Sequence, residues 1–68
     1  MNDVAQPEPI LQFFTFEHLP DHLQSVSKVY AELAQHVVQT LPRNAERTVA
    51  LRKLLESKDA AVRARIAK

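Results

Sequence analysis

With 68 residues and no cysteine, the chain is one small domain at most, and neither disulfides nor a cysteine-based zinc site can support its core. Glycine is also absent, which excludes glycine-rich phosphate loops of the Walker or dinucleotide-binding type. Net charge is only +1 but unevenly placed: up to Pro42 one basic residue, Lys28, stands against five acids, and from Arg43 onward eight basic residues stand against three.

No apolar run reaches the length of a membrane span, and the acidic, proline-containing N-terminus lacks a signal-peptide pattern; the expected compartment is the cytoplasm. Residues 1–12 are polar, carry Pro7 and Pro9, and show no sustained period. They read as a disordered tail. Phe13-Phe14-Thr15-Phe16 follows and holds three of the four aromatics. As a short extended segment it places Phe14 and Phe16 on one face. Phe13 and Phe14 are expected to fold back as a lid over the helical seam. Phe16 leads straight into His18-Leu19-Pro20 and is the candidate for stacking on a base.

Pro20 fits the first turn of a helix, and Asp21 suits its positive end. Leu23, Val26, Val29, Tyr30, Leu33, Val37 and Leu41 then recur at three and four residues, which predicts an amphipathic helix over 20–41. Pro42 cannot continue it. Asn44 is a good N-cap for a second helix over 45–66, whose stripe is Leu51, Leu54, Leu55, Val62 and Ile66. The short connection makes the two helices antiparallel neighbours. The expected fold is therefore all-α: an antiparallel two-helix hairpin domain over 13–68, entered through the short extended segment.

One such seam buries little apolar surface for a domain of this size. Small residues recur away from it, at Ser27, Ala31, Ala34 and Val38 on the first helix and Ala50, Ser57, Ala61 and Ala64 on the second. Small side chains let helices approach closely, so the expectation is a homo-oligomer.

Catalytic chemistry is hard to find. Ser25, Ser27 and Ser57 have no convincing base and orienting partner, and paired carboxylates in a buried setting are lacking. His18 and His22 are four apart, but His18 precedes Pro20 and falls outside the helix; metal binding is the weaker reading of the histidines. No enzyme activity, metal or cofactor is expected. What remains is recognition. Unpaired N–H groups and the dipole at the start of the second helix favour an anion, and Arg47, Thr48 and Arg52 add two cations and a hydroxyl. At 100° per residue Arg47 falls about 40° from Leu51, on the seam itself, while Arg52 lies on its flank. That seam position also suits a bond from Arg47 to a carbonyl at the C-terminal end of helix one, in the same or a neighbouring chain. Asp59 with Arg63 and Arg52 with Glu56 have i,i+4 spacing and account for much of the remaining charge. Together with Phe16, His18 and Lys28, the Arg47 group forms the candidate ligand-binding set for a small phosphate-bearing molecule. A nucleic acid would want a longer basic surface.

The runs F-x-F-E-H-L-P-x-H-L-Q-x-V-S-K and L-P-R-N-x-E-R-T-V-A-L-R-K-L-L-E-x-K-D-A-A-V-R-A resemble phage-encoded proteins that share the short helical-hairpin domain of anti-CBASS and anti-Thoeris sponges. The resemblance covers roughly residues 13–66. It implies a function without catalysis: sequestering the cyclic nucleotide messengers of bacterial anti-phage defence in the host bacterial cytoplasm. Anti-CBASS members form compact hexamers that hold cyclic dinucleotides between protomers and cyclic trinucleotides at separate sites; anti-Thoeris members bind cyclic ADP-ribose isomers. By this resemblance Phe16 stands where an aromatic, often tyrosine, stacks on a base, and Arg52 where an arginine contacts phosphate. Arg47 and Thr48 belong to the E-R-T motif. Lys28 does not align cleanly with the family's helix-one lysine, and its periodicity points it away from the seam. Readings from other classes are a small helical adaptor or inhibitor that binds a protein partner through an apolar face, and a weak nucleic-acid binder. The sponge predicts a tight small-nucleotide complex, the adaptor an exposed apolar patch, and the nucleic-acid binder a steep salt dependence.

Overall fold

The computed structural model describes residues 8–67. Among these there is no strand: a 3-10 helix at Pro9–Phe14 is followed by α1 (Asp21–Thr40) and α2 (Ala45–Ile66). α1 and α2 pack along each other, and the 3-10 helix packs against both. The long helices run antiparallel, since Arg47 reaches Val38 and Leu41 at one end while Ser57 meets Tyr30 further along. No helix is long and apolar enough to cross a membrane among the described residues.

The boundaries follow from local chemistry. Pro20 lacks an N–H and fixes φ at −58°, and its carbonyl accepts from the Leu23 and Gln24 N–H groups at 2.9 Å each. α1 stops before Pro42, with the Leu41 N–H closing the last turn on Val37 O. Asn44 caps α2 as expected, its Oδ1 accepting from the Arg47 N–H at 2.8 Å. Glu46 sits in the first turn of α2 and Arg63 and Arg65 in its last, each on the favourable end of the dipole.

Two expectations change. The first is the N-terminal segment. Residues 9–12, read as tail, and Phe13–Phe14, read as extended, form the 3-10 helix; the rest of the tail, residues 1–7, lies outside the described residues. The reason is apolar content: Ile10, Leu11 and Phe14 are enough to cover the hairpin, and Pro9 pre-sets the first turn. Phe14, 3% exposed, joins Ala34 and Leu51 in the core. It is the lid foreseen for it, whereas Phe13 stays 55% exposed.

The second is the phase of α1. Leu23, Ser27 and Ala34 are its buried residues, with Tyr30, Ala31, Val37 and Val38 packed partly against the core. Val29 and Leu33, assigned by periodicity to the seam, are 60% and 45% exposed. The small residues of α1 expected to meet a neighbouring copy, Ser27, Ala31, Ala34 and Val38, instead line the hairpin's own interior, whereas Ala50, Ser57 and Ala64 of α2 are exposed. The α1 set does so because α2 brings Leu51, Leu54 and Leu55, and the 3-10 helix brings Phe14, to the same line. Large side chains on one wall need small ones on the other for close packing. Ala34 is fully buried, so Ala34→Trp has no space and is expected to unfold the hairpin, not merely split an assembly. Thermal circular dichroism that retains the wild-type midpoint would place Ala34 outside the core.

Candidate ligand cleft at the open end of the hairpin

Between the N-terminal segment and the second half of α2 lies an open cleft of about 390 Å³. Gln12, Phe13, Thr15, His18 and Leu19 form one wall; Lys58, Asp59, Val62 and Arg63 form the other. The α2 wall follows from helical spacing: positions 58, 59, 62 and 63 share one face. The opposite wall is shaped by its own hydrogen bonds. Thr15 Oγ1 donates to Gln12 O at 3.1 Å, and Gln24 Nε2 reaches back from α1 to Glu17 O and Leu19 O at 3.1 and 2.8 Å.

The cleft mixes a phenyl face, a hydroxyl, an imidazole and two cations with a single acid. Lys58 Nζ sits 2.9 Å from Asp59 Oδ1, so that pair is close to neutral. The i,i+4 pair expected between Asp59 and Arg63 is not formed; the Asp59 carboxylate pairs with Lys58 instead. Arg63 is left with no carboxylate partner among the described residues. Its guanidinium is the uncompensated charge of the cleft. A planar fork and an exposed aromatic ring lining one cleft are suited to a phosphate joined to a flat base.

The candidate set read from the sequence is divided by the fold. His18 lies in the cleft. Phe16 is half-buried and is not among the cleft's lining residues; Phe13 supplies the aromatic face there. Lys28 and Arg52 are exposed on the helix surfaces. The Arg52–Glu56 pair is likewise absent, Glu56 standing 3.7 Å from Lys53 instead. Thr48 is exposed and turns its hydroxyl back onto Asn44 O at 3.2 Å.

Arg47 is 7% exposed and commits its guanidinium inside the chain. Nη1 donates to Val38 O at 3.2 Å and Leu41 O at 3.0 Å, and Nη2 pairs with the Glu8 carboxylate. The carbonyl bond foreseen at the end of helix one is thus made within the same chain. A cation at a helix start opposes its own dipole, but here it caps the negative end of α1. From Arg47 to the level of Lys58 and Arg63 is about 16–24 Å along α2 at 1.5 Å per residue. One small ligand on one chain cannot touch both groups.

Sequence reasoning passed over Phe13, Lys58 and Arg63. The signal was present in the basic, polar second half of α2, but pairing Asp59 with Arg63 removed it from consideration. Among the described residues no group of His, Asp and Glu has the arrangement of a metal site. Compared with family models, with curated proteins and with solved structures, the chain finds no match.

Proposed function

We propose that the chain is a sponge: a phage-encoded homo-oligomer that binds and holds a cyclic di- or trinucleotide defence messenger without cleaving it. The observation that carries this reading is the cleft, where Phe13, Thr15, His18 and Arg63, which has no carboxylate partner among the described residues, converge at the open end of the hairpin. Stacking on the ring and forked donation to phosphate are the two contacts such a ligand needs. The F-x-F-E-H-L-P and E-R-T-V-A-L-R runs, with their resemblance to hairpin sponges, support the same class.

Assembly is part of the proposal, with a hexamer favoured by that resemblance. Val29 and Leu33 form an exposed apolar stripe on α1, and a second copy seated there would cover it. In such an assembly Lys28 and Arg52, exposed on single helices, stay available to a neighbouring copy. The same stripe favours the second reading, an adaptor whose partner is a different protein.

Calorimetry against cyclic di-AMP, cyclic GMP-AMP, cyclic tri-AMP and cyclic ADP-ribose separates these. The sponge predicts saturable binding to at least one, with the nucleotide recovered intact after denaturation. Recovery of a cleaved product, or no binding to any member, refutes it. Light scattering is expected to show an oligomer, and Leu33→Glu should dissociate it while helicity is retained. A wild-type protein that is monomeric and folded removes the assembly.

A further inference from the structure

The cleft's N-terminal wall is not part of either long helix, so something must hold it in one orientation. A 3-10 helix has three residues per turn, and therefore Glu8, Leu11 and Phe14 lie in one line along it. All three face the hairpin. Glu8 stands at the N-cap position of this helix, its side chain making no capping bond but pairing with Arg47; the two side chains are only 12% and 7% exposed. Leu11 packs against the core cluster, and Phe14 is part of it. Phe13, one residue before Phe14, is turned about 120° from that line, which directs it away from the core and into the cleft.

Phe14, with Ile10 and Leu11 packed beside it on the core, anchors the body of the 3-10 helix but not its first turn. A further fixed point six residues before Phe14 holds the start of the helix and so limits its rotation about its own axis, and with it the direction of Phe13. Arg47 is well suited to hold that point. Its own position is fixed by the two α1 carbonyls it caps, so the charge presented to Glu8 does not wander.

We propose that Glu8 is a positioning residue for the cleft, acting through Arg47 to set the rotation of the 3-10 helix and so the placement of Phe13. This rests on the reading of the cleft as the nucleotide site. It gives the E-R-T arginine a role in ligand binding without contact to ligand, and it gives a function to a residue that sequence reading left in the tail. Glu8→Asp keeps the charge but shortens the reach by one methylene. Glu8→Gln keeps the length and an acceptor oxygen but loses the charge.

The test uses the full chain, with Glu8→Ala, Glu8→Gln and Phe13→Ala singly and Glu8→Ala/Phe13→Ala together. Amide hydrogen exchange reads the segment directly. In Glu8→Ala, exchange over residues 11–15 is expected to rise about tenfold or more, with α2 amides near Leu51 to Leu55 changing far less, as for local opening. Glu8→Gln should fall between it and wild type. Affinity is then measured for the cyclic nucleotides of the panel above that the wild type binds. Glu8→Ala should weaken binding about tenfold, but it should add nothing in the Phe13→Ala background, because both changes remove the same contact. Equal weakening in both backgrounds, or exchange that rises uniformly across α1 and α2, would show that Glu8 serves only global stability and overturn the proposal. Should the wild type bind no member of the panel, the nucleotide reading fails. The exchange measurement still decides whether Glu8 orients the segment: unchanged protection over residues 11–15 overturns that too.

Discussion

Arg47→Ala is expected to destabilise the fold by about 3–5 kcal/mol, because it strips a largely buried carboxylate of its counter-charge and also the end of α1 of its donors. Glu8→Ala, by contrast, leaves Arg47 bonded to both α1 carbonyls. The guanidinium is almost wholly buried and serves three acceptors, Val38 O, Leu41 O and the Glu8 carboxylate. Alanine would leave the carboxylate without its counter-charge and two carbonyls at the end of α1 without donors. The loss is large beside the total stability of a small domain, roughly 0.05–0.15 kcal/mol per residue. Urea denaturation followed by circular dichroism should show a collapse of the midpoint. Arg47→Lys should recover little, because an ammonium on a flexible stem cannot reproduce the fork that spans α1 and Glu8. Thr48→Ala is the neighbouring control: its hydroxyl is exposed and bonds only the local backbone, so it should stay within about 0.5 kcal/mol of wild type. An Arg47→Ala protein as stable as wild type would mean that these three contacts contribute nothing.

The second large effect is on binding. Arg63→Ala should weaken the proposed nucleotide complex by about 1.5–3 kcal/mol, the range for a hydrogen bond to a charged group. Phe13→Ala should weaken it by about 1–3 kcal/mol, as for loss of a base–aromatic stack. Neither change should lower the melting temperature much, since both side chains are exposed. Arg52→Ala is the informative comparison. Arg52 is exposed on α2 and does not line the cleft of its own chain. If an oligomer carries it to a neighbour's cleft, Arg52→Ala weakens binding while the assembly stays intact. If wild-type affinity survives Arg52→Ala and is lost in Arg63→Ala, the site is complete within one chain. Wild-type affinity in both Arg63→Ala and Phe13→Ala would remove the cleft from the ligand path altogether.

Much of the backbone is legible without coordinates. Pro20, Pro42 and Asn44 act on the residues beside them, through a missing N–H, a fixed φ or a capping oxygen, and local effects of that kind can be read from adjacent letters. Hence α1 and α2 begin and end within a residue or so of their expected bounds, and the hairpin follows from the shortness of the turn between them. Arg47 is similar in part. Its seam position and the suggestion of a carbonyl at the end of helix one both came from angular spacing, and the structure makes that bond.

Tertiary structure decided what periodicity leaves open. A helix with aliphatic residues on one side and small residues on the next has two faces that could be buried, and its own sequence does not rank them. The choice fell to Ser27, Ala31 and Ala34 because Leu51, Leu54, Leu55 and Phe14 arrive from elsewhere in the chain and need room. Val29 and Leu33 were left outside by that choice. The Glu8–Arg47 pair spans residues that no local window contains, and it forms only once the 3-10 helix has docked. Asp59 pairs with its neighbour Lys58 and not with Arg63, a choice among side-chain placements that spacing alone does not make. Helix ends are local events and were written in the sequence; the buried face, the Glu8–Arg47 pair and the walls of the cleft depend on long-range packing, where the energies of alternatives differ only once every element is in place.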